Sequence, residues 1–278
     1  MGSVLALLAA FGFGISDITG AVAARRLSAL TVTLGIQAVG LVALAPALML
    51  LPGQASLRAL ASGALAGVFG TVGLTLYLKA MATGQIGVVS PVAALVGAAV
   101  PVGWGVVLAG DELADRQVLG ILLGLAAVVA VASGPPGSDR RAGARTATAA
   151  VVAGAAFGLF FVALDASPAD SGLWPVLGSR LAAITLLTVV VIARGRALVP
   201  VGAGRLVALS GIGDVAGNVL FLEATRIGLL SLVSLLTSLY PVVALLAARW
   251  WLKERLTGLQ VGGVAGALVA TALLVTAG

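Results

Sequence analysis

Long apolar runs separated by short polar breaks fill the chain from end to end. Ten such runs occur, at 2–24, 30–52, 59–82, 86–109, 117–134, 147–165, 173–194, 204–226, 229–251 and 257–277. At a rise of about 1.5 Å per residue, each is long enough, or nearly so, to cross a hydrocarbon layer about 30 Å thick. The pattern predicts an all-α polytopic membrane protein of ten transmembrane helices. Spans 3 and 4, and spans 8 and 9, follow one another after the very short turns Gly84-Gln85 and Ile227-Gly228, so each pair reads as an antiparallel hairpin. The first run ends in Ala21-Val22-Ala23, which looks like a signal-peptidase site. It lacks a basic leading region and holds Asp17, so it reads as a retained helix. The most polar break runs from Gly134 to Arg141 and contains Pro135 and Pro136, which stop a helix. It reads as a linker over 135–146 between a first unit, 1–134, and a second unit, 147–278, with five spans in each.

The two units repeat one another. Tyr77-Leu78-Lys79-Ala80 aligns with Phe221-Leu222-Glu223-Ala224 at an offset of 144, Gly120/Gly124 with Gly262/Gly266 at 142, and Ala9–Gly12 with Ala155–Gly158 at 146. Their common order and nearly constant offset point to a duplication. With five spans per copy, the second must enter the membrane from the opposite face. The halves are then inverted-topology repeats, an architecture of many secondary transporters. Charge tests the arrangement. The odd-numbered loops and the span ends beside them hold Arg25, Arg26, Lys79, Arg140, Arg141, Arg145, Arg194, Arg196, Arg205, Arg249, Lys253 and Arg255. The even-numbered loops hold only Arg58, Arg116 and Arg226. This bias places the odd loops in the cytoplasm and both termini outside.

Composition narrows the function. Of 278 residues 60% are hydrophobic and 9% charged, with a mean hydropathy of +1.18, and no soluble fold could hide so much apolar surface. A multi-pass protein of the cell membrane (inner or plasma), with the lipid bilayer as its solvent, follows. Cysteine and histidine are both absent, which removes disulfides, thiol chemistry and nearly every transition-metal site, so neither metal nor cofactor is expected. The net charge of +6 is spread in ones to threes between apolar runs, as loops of a membrane protein require and nucleic-acid binding does not. There is no Gly-x-x-x-x-Gly-Lys-Ser/Thr loop for a nucleotide, so the chain is not a self-contained primary pump.

Short motifs carry a family resemblance. The segment Phe221-Leu-Glu-Ala-Thr-Arg-Ile-Gly, then Leu235-Leu-Thr-Ser-Leu-Tyr240-Pro241-Val, then Leu252-Lys-Glu254-Arg-Leu, resembles the second repeat of the EamA family of the drug/metabolite transporter superfamily. Tyr77-Leu-Lys-Ala-Met-Ala-Thr-Gly, with Pro101 and Gly110-Asp-Glu112-Leu, is similar to the first repeat, and Ser179-Arg180-Leu-Ala-Ala to the arginine segment of the family. The resemblance implies ten helices, a central cavity between the halves and transport of small metabolites or drugs. It also implies cytoplasmic termini, against the charge bias.

Ionisable groups deep in a span are costly unless solvated or paired, and each is a functional candidate. Asp214 in span 8, Arg180 in span 7 and Asp17 in span 1 qualify. If spans 7 and 8 form a hairpin, Arg180 and Asp214 differ in depth by about 6 Å, within an arginine's reach. The pair is then a structural bond between helices, or one of the acids exchanges protons, or one of the three touches substrate. Asn218, the only asparagine, follows Asp214 by one turn on the same face and, like Gln37 in span 2, either bonds a neighbouring helix or faces the cavity. Tyr77, Trp104 and Tyr240 could line the cavity or anchor the chain at an interface. Pro91, Pro101 and Pro241 interrupt spans 4 and 9 as hinges or cavity walls. Gly120/Gly124 and Gly262/Gly266 would let spans 5 and 10 approach closely. Lys79 and Glu223 occupy equivalent positions near span ends, where Lys79 can snorkel, and Glu112 and Glu254 read as parts of turns.

The whole reads as a secondary carrier rather than an enzyme, working by alternating access on a small-molecule substrate that is neutral, zwitterionic or amphipathic, with Arg180 able to select an anion and a monomer sufficient. Proton coupling, a facilitator, and a flippase for an amphipathic or lipid-linked substrate are variants of this reading. A lipid-modifying membrane enzyme, whose nearest constellation is Asp111–Arg116, and a structural subunit are the readings from other classes.

Overall fold

The computed structural model describes residues 1–84, 86–104, 115–132, 140–168, 170–199, 201–227, 236–237, 239–253 and 256–275. These form ten helices and, among the described residues, no strand. In order they are α1 (Gly2–Ala24), α2 (Ala29–Leu50), α3 (Leu57–Thr83), α4 (Ile86–Trp104), α5 (Asp115–Ala132), α6 (Arg140–Asp165), α7 (Trp174–Ala193), α8 (Gly204–Ile227), α9 (Tyr240–Trp251) and α10 (Gly258–Val275). Six of them, α1, α2, α3, α6, α7 and α8, are long and apolar enough to cross a membrane. Shorter apolar stretches at 88–100, 118–127 and 258–273 lie in α4, α5 and α10.

Local chemistry sets several helix starts. Ser28 and Ser56 cap α2 and α3, each hydroxyl accepting from the amide three residues on, Thr31 and Ala59, at 3.1 Å. Before α10, Thr257 and Gln260 form a reciprocal box: the Thr257 hydroxyl accepts from the Gln260 amide at 3.2 Å, and the Gln260 carbonyl from the Thr257 amide at 3.0 Å. Helix α6 starts at Arg140, earlier than hydropathy suggests, so residues 140–146 are helical. Arg140-Arg-Ala-Gly-Ala-Arg is too polar to read as a span, yet alanine and arginine are among the best helix formers. Residues 135–139 of the expected linker, the turns holding Glu112 and Glu254, and Gly228 lie outside the described residues.

Much of the helix packing recurs when the two halves are exchanged, although among the described residues α4–α10, α1–α3 and α2–α3 pack without a counterpart of similar extent. Replacing each helix by the one five places along maps the α1–α8 contact onto α3–α6, α2–α8 onto α3–α7, and α1–α9 onto α4–α6; the pairs α2–α7, α4–α9 and α5–α10 map onto themselves. Residue pairings give the directions. Helices α1 and α8 are antiparallel, Ala6 clustering with Ala224 and Ser16 bonding Ser210 at 3.1 Å. So are α2 and α7, through Leu34 with Leu187 and Leu44 with Val176, and α3 and α6, with Gly84 beside Thr146 and Gly70 beside Phe160. Helices α2 and α8 are parallel, Val32 lying with Val207 and Leu44 with Val215. Gly63 and Gly67 meet Pro175 and Ser179 with α3 and α7 parallel, and Gly154 and Gly158 meet Ala93 and Val100 with α6 and α4 parallel. Helices α1 and α9 also run alike, from Ala6 beside Thr237 to Gly14 beside Val243. Thus α1, α3, α7 and α9 run one way, and α2, α4, α6 and α8 the other.

The expected glycine contact between the fifth and tenth spans is seen at Gly266, which faces Ala127 and Leu123 of α5. Helices α5 and α10 pack on each other through Leu123, Ala127, Ala267 and Ala270 as well. A Cβ on Gly124 would meet Leu95 of α4 at 3.0 Å, one on Gly266 would meet Ala127 only at 3.4 Å, and Gly262 has nothing within 4 Å. Gly120 is buried in α5. The glycines that bring backbones together are elsewhere. A Cβ on Gly63 would fall 2.0 Å from the Pro175 carbonyl oxygen, and one on Gly213 would fall 2.7 Å from that of Gly12.

Candidate functional site

Two polar centres sit in the apolar interior. In the first, Asp17 is the sixteenth residue of α1, half-buried beside fully buried Ser16 and Ile18. The Tyr77 hydroxyl, on α3, donates to Asp17 Oδ2 at 2.5 Å. Ser90 of α4 donates to the same oxygen at 3.3 Å. Both donors are buried, Tyr77 at 1% and Ser90 at 0% exposure, so three helices converge on one carboxylate oxygen. Tyr240, in the first turn of α9, lies within electrostatic reach of both Asp17 and Tyr77. Two edge-to-face aromatic pairs flank the acid. Phe13, one turn before Asp17, meets Tyr240 with ring centroids 6.2 Å apart, and Phe157 of α6 meets Tyr77 at 5.5 Å.

The second centre joins α2, α7 and α8. The Arg180 guanidinium, with the residue 4% exposed, donates through one terminal nitrogen to Gln37 Oε1 and through the other to Asp214 Oδ2. Its Nε is buried without a hydrogen-bond partner. Gly40 makes room for it, since a Cβ there would lie 3.2 Å from the guanidinium carbon. Gln37 and Arg180, 143 residues apart in sequence, meet where α2 crosses α7. The position 144 residues before Asp214 is Gly70. Asn218 turns its amide back to the Asp214 carbonyl at 2.8 Å, donating one of its N–H groups inside α8.

The centres lie at similar depth. Ser16 bonds Ser210, Gly213 packs on Gly12, and these contacts set Asp17 and Asp214 within about a turn of each other across the α1–α8 seam. Two acids and one arginine leave this interior, among the described residues, one negative charge in excess when all three are ionised.

The remaining candidates fall outside these centres. Pro241 stands in the first turn of α9, where an amide is not needed. Pro91 is inside α4, directly after Ser90, and Pro101 lies near the end of the same helix. Trp104 is 48% exposed. Lys79 is exposed near the end of α3, and Glu223 is half-buried in α8. Ser90, Phe13 and Phe157 were not singled out by sequence reasoning. A serine or phenylalanine in an apolar run carries no signal of its own, and only the packing of α4, α6 and α9 around α1 and α3 brings them to the acid. Two surface grooves, between α2 and α8 and between α3 and α7, are lined by apolar residues such as Val39, Val42, Leu181 and Val189 and hold none of the candidates.

Comparisons agree with this architecture. The family model of the EamA-like transporter family matches residues 1–133 and, a second time, residues 144–276. A crystal structure of a protein 22% identical in sequence shares the fold with a TM-score of 0.60, over 98% of this chain and 95% of that one. No curated protein matches the sequence.

Proposed function

The chain belongs to the EamA-like transporter family, and from that premise we propose that it is a secondary carrier of small metabolites or drugs working by alternating access. In this reading ten spans form two inverted halves with the transport pathway between them. One observation carries it: helices that correspond between the halves, α1 with α6, α2 with α7, α3 with α8 and α4 with α9, run in opposite directions, and the contacts α1–α8 and α2–α8 recur as α3–α6 and α3–α7. Two halves of one fold in opposite orientations give the protein two related packings, each open to one side, and a ligand held at mid-depth is exposed to each face in turn.

The two acids then have different tasks. Asp214 is paired with Arg180, whose guanidinium joins α2, α7 and α8. Among the described residues Asp17 has only neutral hydroxyl partners, so in this reading it is the carboxylate that exchanges a proton as the halves reorganise. Purified protein in liposomes enclosing a pH-sensitive dye, screened with amines, amino acids and nucleosides, tests this. Substrate-driven proton movement should vanish in Asp17→Asn and persist, reduced, in Asp214→Asn. Solute flux without proton movement, unaltered by Asp17→Asn, would remove the coupling role from Asp17.

A further inference from the structure

We infer that Phe161 of α6 and Phe221 of α8 are the gate of the passage at its end opposite the basic loops, in a conformation whose basic end is sealed. The inference rests on the carrier reading above and adds which side chains open the way to the interior.

A difference between the halves is the first argument. Exchanging them pairs α1 with α6 and α3 with α8. Helices α1 and α3 pack on each other, with the Tyr77 hydroxyl reaching Asp17 between them. Among the described residues α6 packs chiefly on α3 and α4, and α8 on α1 and α2, with no comparable seam between α6 and α8. They meet instead through two rings: Phe161 and Phe221 stand with centroids 6.5 Å apart and planes inclined at 52°. Both rings lie in the last two turns of their helices, away from Arg25 and Arg26, because α6 runs against α3 and α8 against α1. Inverted halves that alternate exchange such differences, so a seam tight at α1–α3 and slack at α6–α8 reverses in the other conformation.

Exposure is the second argument. Phe161 is 43% exposed, yet it stands one turn after Phe157 on the same face of α6, and Phe157 is turned inward onto Tyr77. The open side of Phe161 therefore looks into the space between the halves. Phe221 follows Asp214 and Asn218 along one face of α8, and the Asp214 side chain keeps 20% of its surface exposed despite its ion pair. The basic end is built differently. Ile18 and Ala21 of α1, Met81 of α3, Val89 of α4, Ala153 of α6 and Ala244 of α9 belong to one apolar cluster, each at 1% exposure or less. Along α4 the cluster runs from Ile86 to Ala93, about 10 Å of helix. Opening that end parts five helices, whereas the other end opens when two rings change rotamer, a motion that needs no backbone shift.

Thiol labelling of the full chain, which has no cysteine of its own, tests the gate. Asn218→Cys places a thiol about one turn inward of Phe221. An impermeant charged methanethiosulfonate is added to oriented proteoliposomes from one face at a time, with Gly195→Cys marking the basic face. Labelling at position 218 should be faster from the opposite face. Phe161→Ala and Phe221→Ala, each combined with Asn218→Cys, should raise that rate by about tenfold, as when a state open a tenth of the time becomes permanent. The rate from the basic face should not change. Phe11→Ala, which removes an exposed ring of α1 outside the pair, should alter neither rate. Melting midpoints show which variants are folded, and either ring variant suffices if the other does not fold. Unchanged labelling in a folded ring variant, faster labelling from the basic face, or equal acceleration by Phe11→Ala would overturn the inference. Labelling is read without solute, so these outcomes remove the gate and leave the carrier reading standing. That reading fails instead if folded protein in liposomes moves no solute.

Discussion

Burying the Arg180 guanidinium costs several kcal/mol, which its contacts with Gln37 and Asp214 must offset together. Removing one partner therefore matters more than removing both. Asp214→Ala, which leaves the arginine charged with only an amide for company, should destabilise the protein by about 3–5 kcal/mol, seen as a lower melting midpoint in detergent. Arg180→Met combined with Asp214→Leu keeps the volume and strands no charge, and should recover most of that loss. Single losses that simply add in the double variant would show that the two side chains do not act as a pair. The same cluster shows what can be read from sequence at this scale. A charge inside an apolar run stands out by cost, so Asp17, Arg180 and Asp214 were legible. The direction of Asn218, turned into its own helix at 2.8 Å, depends on a rotamer that no spacing encodes. Ser90 was invisible because a serine in a span is cheap wherever it lies.

Helices here are held by backbone approach more than by large side chains, and the close seams are set by particular glycines. At Gly63 a methyl group would overlap the Pro175 carbonyl at 2.0 Å, a backbone atom that cannot swing aside. Gly63→Ala should separate α3 from α7 and destabilise by about 1–3 kcal/mol, as overpacking does. Gly262→Ala meets nothing within 4 Å, and should be neutral or gain up to about 1 kcal/mol from helix propensity. Thermal melting of the two variants side by side measures the contrast; equal midpoints would mean that the α3–α7 seam is not the tight one. With 38 glycines in the chain, small-residue spacing alone cannot choose among seams. The paired motifs in α5 and α10 therefore do not by themselves mark the tightest seams, although those two helices do pack on each other. Helix positions were legible because hydropathy reports the lipid-crossing length. It is silent on helix that continues past the apolar run, hence the early start of α6 at Arg140.

The direction of each helix, read from its contacts, decides which loops share a face of the molecule. Helices α1, α3, α7 and α9 end on one side, and α2 and α8 begin there. Arg25 and Arg26, Lys79, Arg194 and Arg196, Arg249 and Lys253 all lie at or near that end, whereas Arg58 lies at the start of α3 on the other. The bias counted along the sequence thus becomes a one-sided band of positive charge on the folded chain, independent of where span boundaries are drawn. Positively charged ends are retained in the cytoplasm, so the start of α1 should face outward, in conflict with the cytoplasmic termini that the family resemblance implies. Absence of cysteine from the natural chain makes the test direct, since single cysteines report without background. Ser3→Cys should react with an impermeant maleimide added to intact cells, and Gly195→Cys, in the turn after α7, only after the membrane is opened. The reverse pattern would mean that the band of arginines faces outward and that features other than loop charge set the orientation. Labelling of both sites in intact cells would mean that the chain inserts in both orientations, which two inverted halves of similar shape permit and which the charge bias must then be too weak to prevent.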